Sequence, residues 1–357
     1  MIGTPHGSAA RQKTMRLHAV PFDGPDEEWD GMVEELEGST FCHLGAWRRI
    51  MTEVLGHEVH YRVARDEAGA TAGLLPMVRV RSHLFGSYLL SMPFLSYGGP
   101  LGTPEARAFL GGHAVKEAAR LGVDLLELRA RVPVPGELRT SHRKLTVLLD
   151  LPTSPEVLWE DHLKAKVRSQ IRRPMKEGME SRTGSDQLDA FYSVFAETMR
   201  DLGTPVLPRR FFRAVLEGLP EQVVFCVVEW RGAPVAAGCG FLWRGEFEIT
   251  WAGSLRKHSR MAPNMLLYWV LMEEAMGRGA HTFNFGRCSP DSGTHRFKRQ
   301  WGGTDHPLPW AQWSPKEVAA TPDPGSGRMV RVATALWKKL PLGVANRVGP
   351  LLSRSLP

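Results

Sequence analysis

The feature that most constrains this chain lies between Gln222 and Gly286. Three runs rich in β-branched and aromatic residues, Gln222 to Trp230, Val235 to Trp243 and Glu246 to Ala252, are separated by Arg231-Gly232-Ala233-Pro234 and Arg244-Gly245. Glycine-bearing turns this short join antiparallel neighbours, so the run predicts a three-stranded meander. A loop from Ser254 to Pro263 follows, then a helix over Asn264 to Met276 and a further strand at Thr282. In Thr282-Phe283-Asn284-Phe285-Gly286, apolar residues alternate and a glycine follows, the pattern of a short buried strand that ends in a sharp turn.

The rest of the chain has the same mixed character. At 357 residues it is long enough for two domains, each with its own core. Residues 1–14 are rich in Gly, Ser, Ala and His without periodicity and are expected to be disordered. Domain one is assigned to residues 15–151. It reads as a strand at Arg16 to Val20, helices over Asp26 to Leu36 and Leu44 to Leu55, and paired strands over His57 to Arg65 and Thr71 to Arg81. An apolar run from Tyr88 to Tyr97, a helix over Pro104 to Leu121 and strands at Leu125 to Arg129 and Lys144 to Leu149 complete it. Domain two covers residues 152–313. It opens on one helix from Ser154 to about Glu177, which Pro174 is expected to bend or end, and continues with helices over Leu188 to Leu202 and Pro208 to Glu217. The predicted class is α/β (α+β), each domain a mixed, mostly antiparallel sheet flanked by helices.

Beyond Gly286 come Arg287, Cys288, Ser289, Ser292 and Thr294 in a polar turn, then Phe297-Lys298-Arg299-Gln300-Trp301-Gly302. A cation between two aromatics that favour burial is held in place. The arrangement FGR, a Ser/Gly-rich turn, then FKxxWG resembles the closing motif of the Fem-type peptidyltransferases. It is most similar to the FemAB-like proteins associated with exosortase (XrtA/PEP-CTERM) systems, and the resemblance runs from about Leu17 to the last residues. It implies two tandem GNAT-type acyltransferase domains. It also implies an activity like that of the best-known members, which move an amino acid from aminoacyl-tRNA to an amino group of a cell-wall precursor. The family's FKxxWG lysine stabilises the oxyanion, and by position this is Lys298, packed by Phe297 and Trp301. The link of such relatives to exopolysaccharide gene sets implies a sugar amine or lipid-linked saccharide as acceptor. The long helical hairpin that some Fem proteins insert in domain two has no counterpart here.

Other residues join the candidate substrate site. Lys164, Arg168 and Arg172 at spacings of four share one helix face, which reads as a phosphate clamp or as a solvated basic face. Arg287 and Arg172 are expected phosphate contacts of an anionic acceptor. Ser289, Ser292 and Thr294 supply hydrogen bonds or simply form a turn. Tyr97 and Gly98 are placed at the cleft between the domains. No carboxylate stands out as a general base. No tightly bound cofactor and no metal are expected, and the donor is aminoacyl-tRNA or acyl-CoA. The loop Arg256 to Asn264 has no glycine and Pro263 has no N–H, which disfavours the backbone cradle that a coenzyme A pyrophosphate needs. Its Arg256, Lys257 and Arg260 instead offer side-chain charge. Cys42, Cys226, Cys239 and Cys288 read as free thiols, with His295 the one near partner for a nucleophilic Cys288.

Six of the seven units of net positive charge fall in residues 327–357, which carry no acidic residue. The body is therefore near neutral, which argues against a plain RNA-binding module. Apolar residues alternate with these cations around Pro341, predicting two short amphipathic helices that pack on domain one or dock on an anionic membrane through residues 328–357. No apolar run reaches a spanning length and no leader is visible, so a cytoplasmic location is expected, peripheral to the inner face of the membrane if the tail binds lipid. Two other readings stand beside Fem-type N-acyl transfer: an acyl-CoA-dependent N-acyltransferase, and a nonenzymatic membrane adaptor.

Overall fold

The computed structural model describes residues 16–82, 86–315 and 328–355. The N-terminal stretch expected to be disordered, and residues 316–327 between domain two and the basic tail, lie outside the described residues.

The first half contains β1 (His18–Pro21), α1 (Asp26–Glu35), α2 (Ala46–Arg49), β2 (Glu58–Val59), β3 (Arg62–Arg65), β4 (Thr71–Leu75), β5 (Val78–Ser82), β6 (Gly86–Leu90), α3 (Pro104–Leu121), β7 (Leu125–Leu128) and β8 (Arg139–Asp150). The second holds α4 (Pro155–Val157), α5 (Ala165–Lys176), β9 (Met179–Thr183), α6 (Leu188–Leu202), α7 (Arg209–Gly218), β10 (Val223–Trp230), β11 (Ala233–Trp243), β12 (Glu246–Ser254), α8 (Pro263–Gly277), β13 (Thr282–Cys288), α9 (Gly293–Arg299) and β14 (Thr304–Trp313). The tail forms α10 (Arg328–Trp337) and α11 (Leu342–Ser353).

Local chemistry accounts for the best-defined elements. α3 starts where the Thr103 hydroxyl accepts from the Ala106 N–H, has Pro104 at its first position, and stops at left-handed Gly122. Its Ala106, Leu110, Ala114 and Ala118 recur every four residues and are fully buried, the last three of them in a cluster with Leu126 and Leu128. α6 buries Leu188, Phe191 and Phe195 in the largest cluster, which also takes Trp29 and Trp47 from the first half and Phe225 and Phe241 from the meander. The two halves are therefore joined by a shared core.

The sheet joins them as well. A three-stranded sheet, β1-β3-β4, lies beside an eleven-stranded sheet of order β2-β5-β6-β7-β14-β8-β13-β12-β11-β10-β9. Each half contains one parallel pair, β6 with β7 and β12 with β13. Beyond each pair the next strand comes from the other half: β14 pairs with β7, and β8 pairs with β13. This exchange was not visible in the sequence, where β14 is interrupted by Pro307 and Pro309 and did not read as a strand. A register shift between Leu308 and Trp310 accommodates Pro309.

Three expectations need correction. The run from Tyr88 to Tyr97 is a strand only to Leu90, because Met92 and Phe94 adopt left-handed φ values of 56° and 71° and turn the chain into a buried loop. The single helix over Ser154 to Glu177 is broken: α4 widens into a π-type turn at Leu158–His162, and a new helix starts at Ala165. Pro174 neither bends it to a stop nor ends it early, since α5 runs to Lys176. Finally, Gly286 does not end its strand. It is a bulge at φ 69°, and β13 resumes pairing with β8 at Arg287 and Cys288.

Candidate active site

β12 and β13 pair through Glu246/Thr282, Phe247/Phe283 and Glu248/Asn284 and then part. The cause is local. Gly286 lies so close to β12 that a Cβ there would sit 2.7 Å from the Ile249 carbonyl oxygen, so only glycine fits. The Asn284 side chain replaces the lost ladder bonds: its Oδ1 accepts from the Gly286 N–H at 2.8 Å and from the Thr146 hydroxyl at 2.5 Å. The Gly286 and Arg287 carbonyls are thereby available to α9. Lys298, 3% exposed, donates to both, at 2.5 and 3.0 Å. An ammonium carries three N–H groups. Two are committed among the described residues, which leaves one for a ligand.

Helix α9 is set by Ser292, whose hydroxyl accepts from the His295 N–H at its start. Phe297 packs edge-on to Tyr268 at 5.0 Å, and buried Trp301 stacks on the same ring at 6.2 Å. The aromatic flanks thus anchor α9 on α8. Burial, with Arg287 as a smaller cause, lowers the Lys298 pKa to about 8, while Cys288 and Glu248 act to raise it.

Glu248, 1% exposed, lies opposite Asn284 where the two strands part. Phe247 and Ile249 turn into the core around α8, so strand alternation turns Glu246 and Glu248 to the opposite face. There they meet loops of the first half. Ser96 donates to Glu248 Oε1 at 2.8 Å, and Arg131 donates to Glu246 Oε2 at 2.8 Å and lies over the Tyr97 ring. Asn284 Nδ2 donates to Glu246 Oε1 at 2.7 Å and to the Tyr97 hydroxyl at 2.9 Å. Burial, then the Glu246 charge, push Glu248 up to about 7, against Ser96, Arg131 and Lys298. A carboxylic acid and an amine therefore share one gap, both poised to change charge near neutrality. Perturbed groups of this kind mark candidate functional sites.

Arg287 and Arg129 both lie over the Trp310 ring, at 5.5 and 5.0 Å. Burial first, then Arg129, depress the Arg287 pKa to about 10, so it remains a cation at neutral pH. Arg287 follows Gly286 directly in β13. Tyr97 lies at the gap through its bond to Asn284, and Gly98 packs at φ 127° against Met92.

The remaining predicted residues lie elsewhere or serve the backbone. Arg168 donates to the carbonyls of Trp159, Glu160 and Leu163, closing the turn before α5, and Arg172 is exposed with its guanidinium over Trp159 at 4.9 Å. Lys164 precedes the helix, so the three cations do not form one clamp. Ser289 accepts from Lys144 at 2.9 Å, Ser292 is the helix cap, and Thr294 is exposed. The Cys288–His295 pairing does not form. Both His295 nitrogens are engaged, with Asp305 and the Asp291 N–H, and burial raises the Cys288 thiol. Among the described residues no group of three or more His, Cys, Asp or Glu side chains is placed to hold a metal ion.

Sequence reasoning missed Glu246, Glu248, Asn284, Ser96 and Arg131. One signal was present: Glu-Phe-Glu-Ile at the start of a central strand puts two carboxylates on a face that a sheet interior does not tolerate without partners.

Residues 165–299 match the family model described as an acetyltransferase (GNAT) domain, and they contain β12, β13 and Lys298. Over the whole chain, the structure is similar to FemX, with a TM-score of 0.61 at 12% identity over 83% of this chain and 97% of that one. It is also similar to a tandem GNAT protein from the clavulanic acid biosynthesis pathway, with a TM-score of 0.52 at 14% identity over 85% of this chain and all of that one. The fold is a tandem GNAT fold. The C-terminal domain of a proposed lysylphosphatidylglycerol synthetase from Agrobacterium fabrum shares it, with a TM-score of 0.55 at 14% identity over 87% and 94% of the two chains. No curated protein matches the chain in sequence.

Proposed function

We propose that this tandem GNAT protein is an N-acyltransferase of the Fem type. An amine attacks an activated ester, the carbonyl oxygen becomes an oxyanion held by the remaining Lys298 N–H, and the amine passes a proton to ionised Glu248. The attack forms the C–N bond; collapse of the oxyanion then restores the carbonyl, breaks the C–O bond to the donor and passes the proton from Glu248 to the leaving oxygen. A preorganised donor in a water-poor gap is the main requirement of such a step. The observation that carries this reading is the buried Lys298 ammonium, pinned by two carbonyls beside a carboxyl group whose pKa is about 7.

Arg287 and Arg131 supply positive charge for an anionic, phosphate-bearing substrate. Glu246 and Tyr97 fix the Asn284 side chain at the point where the strands part. Aminoacyl-tRNA is the proposed donor and a sugar amine or lipid-linked saccharide of the cell envelope the proposed acceptor, in keeping with the likeness to exosortase-associated FemAB proteins. The test is single-turnover transfer at saturating substrate. Lys298→Ala should lose rate far more than binding; equal rates would sink the assignment and leave the adaptor reading.

A second reading, acyl-CoA as donor, is favoured by the domain match over 165–299. Against it stands the loop before α8, which is a tight turn over Arg256–Met261 that leads through left-handed Ala262 to Pro263, with no glycine and one N–H missing. Calorimetry with acyl-CoA against aminoacyl-tRNA separates the two.

A further inference from the structure

The tail carries a surface that the acyl-transfer reading does not use. α11 buries Ala345, Gly349 and Ser353, a stripe of small residues every four positions, with Gly349 close against Val206. α10 approaches α6 closely at Gly203, where a Cβ would meet the Thr334 methyl at 2.4 Å, and Arg200 donates to the Leu340 carbonyl at the turn between the two helices. The tail thus docks on the second half, with Arg354 near His57 of the first, rather than on domain one alone. Small residues face the protein, so the long ones face out. Among the described residues, nine large apolar side chains are more than a third exposed, and six of them are Val332, Leu336, Val344, Val348, Leu351 and Leu352. Six in two adjacent short helices is a patch, not the ordinary scatter of single exposed side chains.

Charge selects the occupant. Arg331, Lys338, Lys339, Arg347 and Arg354 are exposed around these side chains, and residues 328–357 hold no carboxylate side chain. A second copy placed symmetrically on this face would set like charges against like charges. A polyanion such as RNA would satisfy the cations and leave the aliphatic side chains in water. An anionic bilayer satisfies both, because the interface accepts apolar side chains to acyl-chain depth and holds phosphate at the level of the cations. No helix among the described residues is long and apolar enough to cross a membrane, so the two helices lie along the surface. We infer that α10 and α11 form a docking surface for an anionic lipid bilayer, independently of the reaction the gap performs.

The test is flotation of the full chain with vesicles of equimolar phosphatidylglycerol and phosphatidylcholine, against phosphatidylcholine alone. Binding to the anionic vesicles is expected and should fall about tenfold or more in Leu336→Glu/Leu351→Glu, in Lys338→Glu/Lys339→Glu and at high salt. All four side chains are exposed, so melting curves should match wild type and distinguish lost docking from lost fold. Three results would overturn the inference: no flotation with either vesicle, undiminished flotation of both variants, or concentration-dependent self-association without lipid that Leu336→Glu/Leu351→Glu abolishes.

Discussion

The two parallel strand pairs invite comparison, since each opens a gap and each gap is filled by one basic side chain. In the first half, β6 and β7 part after Leu90/Glu127, and Arg129 fills the space. Its Nε donates to Glu127 at 3.0 Å and its Nη1 to the Met92 and Leu95 carbonyls at 3.1–3.3 Å, while Gln312 donates to the other oxygen of Glu127. In the second half Lys298 fills the gap, again on backbone carbonyls, but its carboxyl neighbour is shared with Ser96, and both groups are shifted toward neutral pH. One gap is closed by an ion pair of fixed geometry. The other holds a titratable pair with an N–H to spare. The same topology thus serves as a structural plug in one half and, in our proposal, as a reaction centre in the other.

Substitutions sharpen that contrast. Arg129→Met removes the guanidinium from a carboxylate that stays 1% exposed, and should cost about 3–5 kcal/mol of stability, read from denaturant midpoints. A change in transfer rate without loss of stability would erase the distinction between the gaps. Lys298→Ala should raise the barrier by about 2.7–4 kcal/mol, or roughly 10²–10³-fold in single-turnover rate. Glu248→Gln should slow transfer about 10²-fold, as expected for loss of a general base.

The pH dependence follows with definite sign. Transfer needs ionised Glu248, available above about 7, and cationic Lys298, available below about 8, so the rate should be bell-shaped with its maximum between these values. Glu248→Gln should remove the acid limb. The same carboxyl has its folded pKa raised above the usual 4.5, so its contribution to stability is complete below 4.5 and disappears as pH rises to about 7. That slope amounts to about 3 kcal/mol and should be absent in Glu248→Gln, as measured by denaturation across the range. Smallest of all, Arg172→Ala removes a cation–π contact at the surface. A loss of about 0.5–1 kcal/mol of stability with unchanged transfer is expected, and a raised KM would return Arg172 to the substrate site.

Much of this was written locally. α3, α6 and the meander follow from a capping threonine, apolar residues at three- to four-residue spacing and glycine turns, all short-range signals. Lys298 was legible because Phe297 and Trp301 bracket it in the chain. Arg168 was misread because its helix breaks at Leu163, and the three carbonyls it caps belong to a turn that propensity does not anticipate.

The sequence by itself determined the α/β class, the meander–helix–strand run of the second half, the basic amphipathic tail and the buried lysine of α9, because each depends on residues close together in the chain. Tertiary structure alone decided the strand exchange and the assembly of Ser96, Tyr97, Arg131, Glu246, Glu248 and Asn284 in one gap. Those partners come from both halves of the chain, and burial among them, which no local pattern encodes, is what shifts the proton affinities of Glu248 and Lys298 toward neutrality.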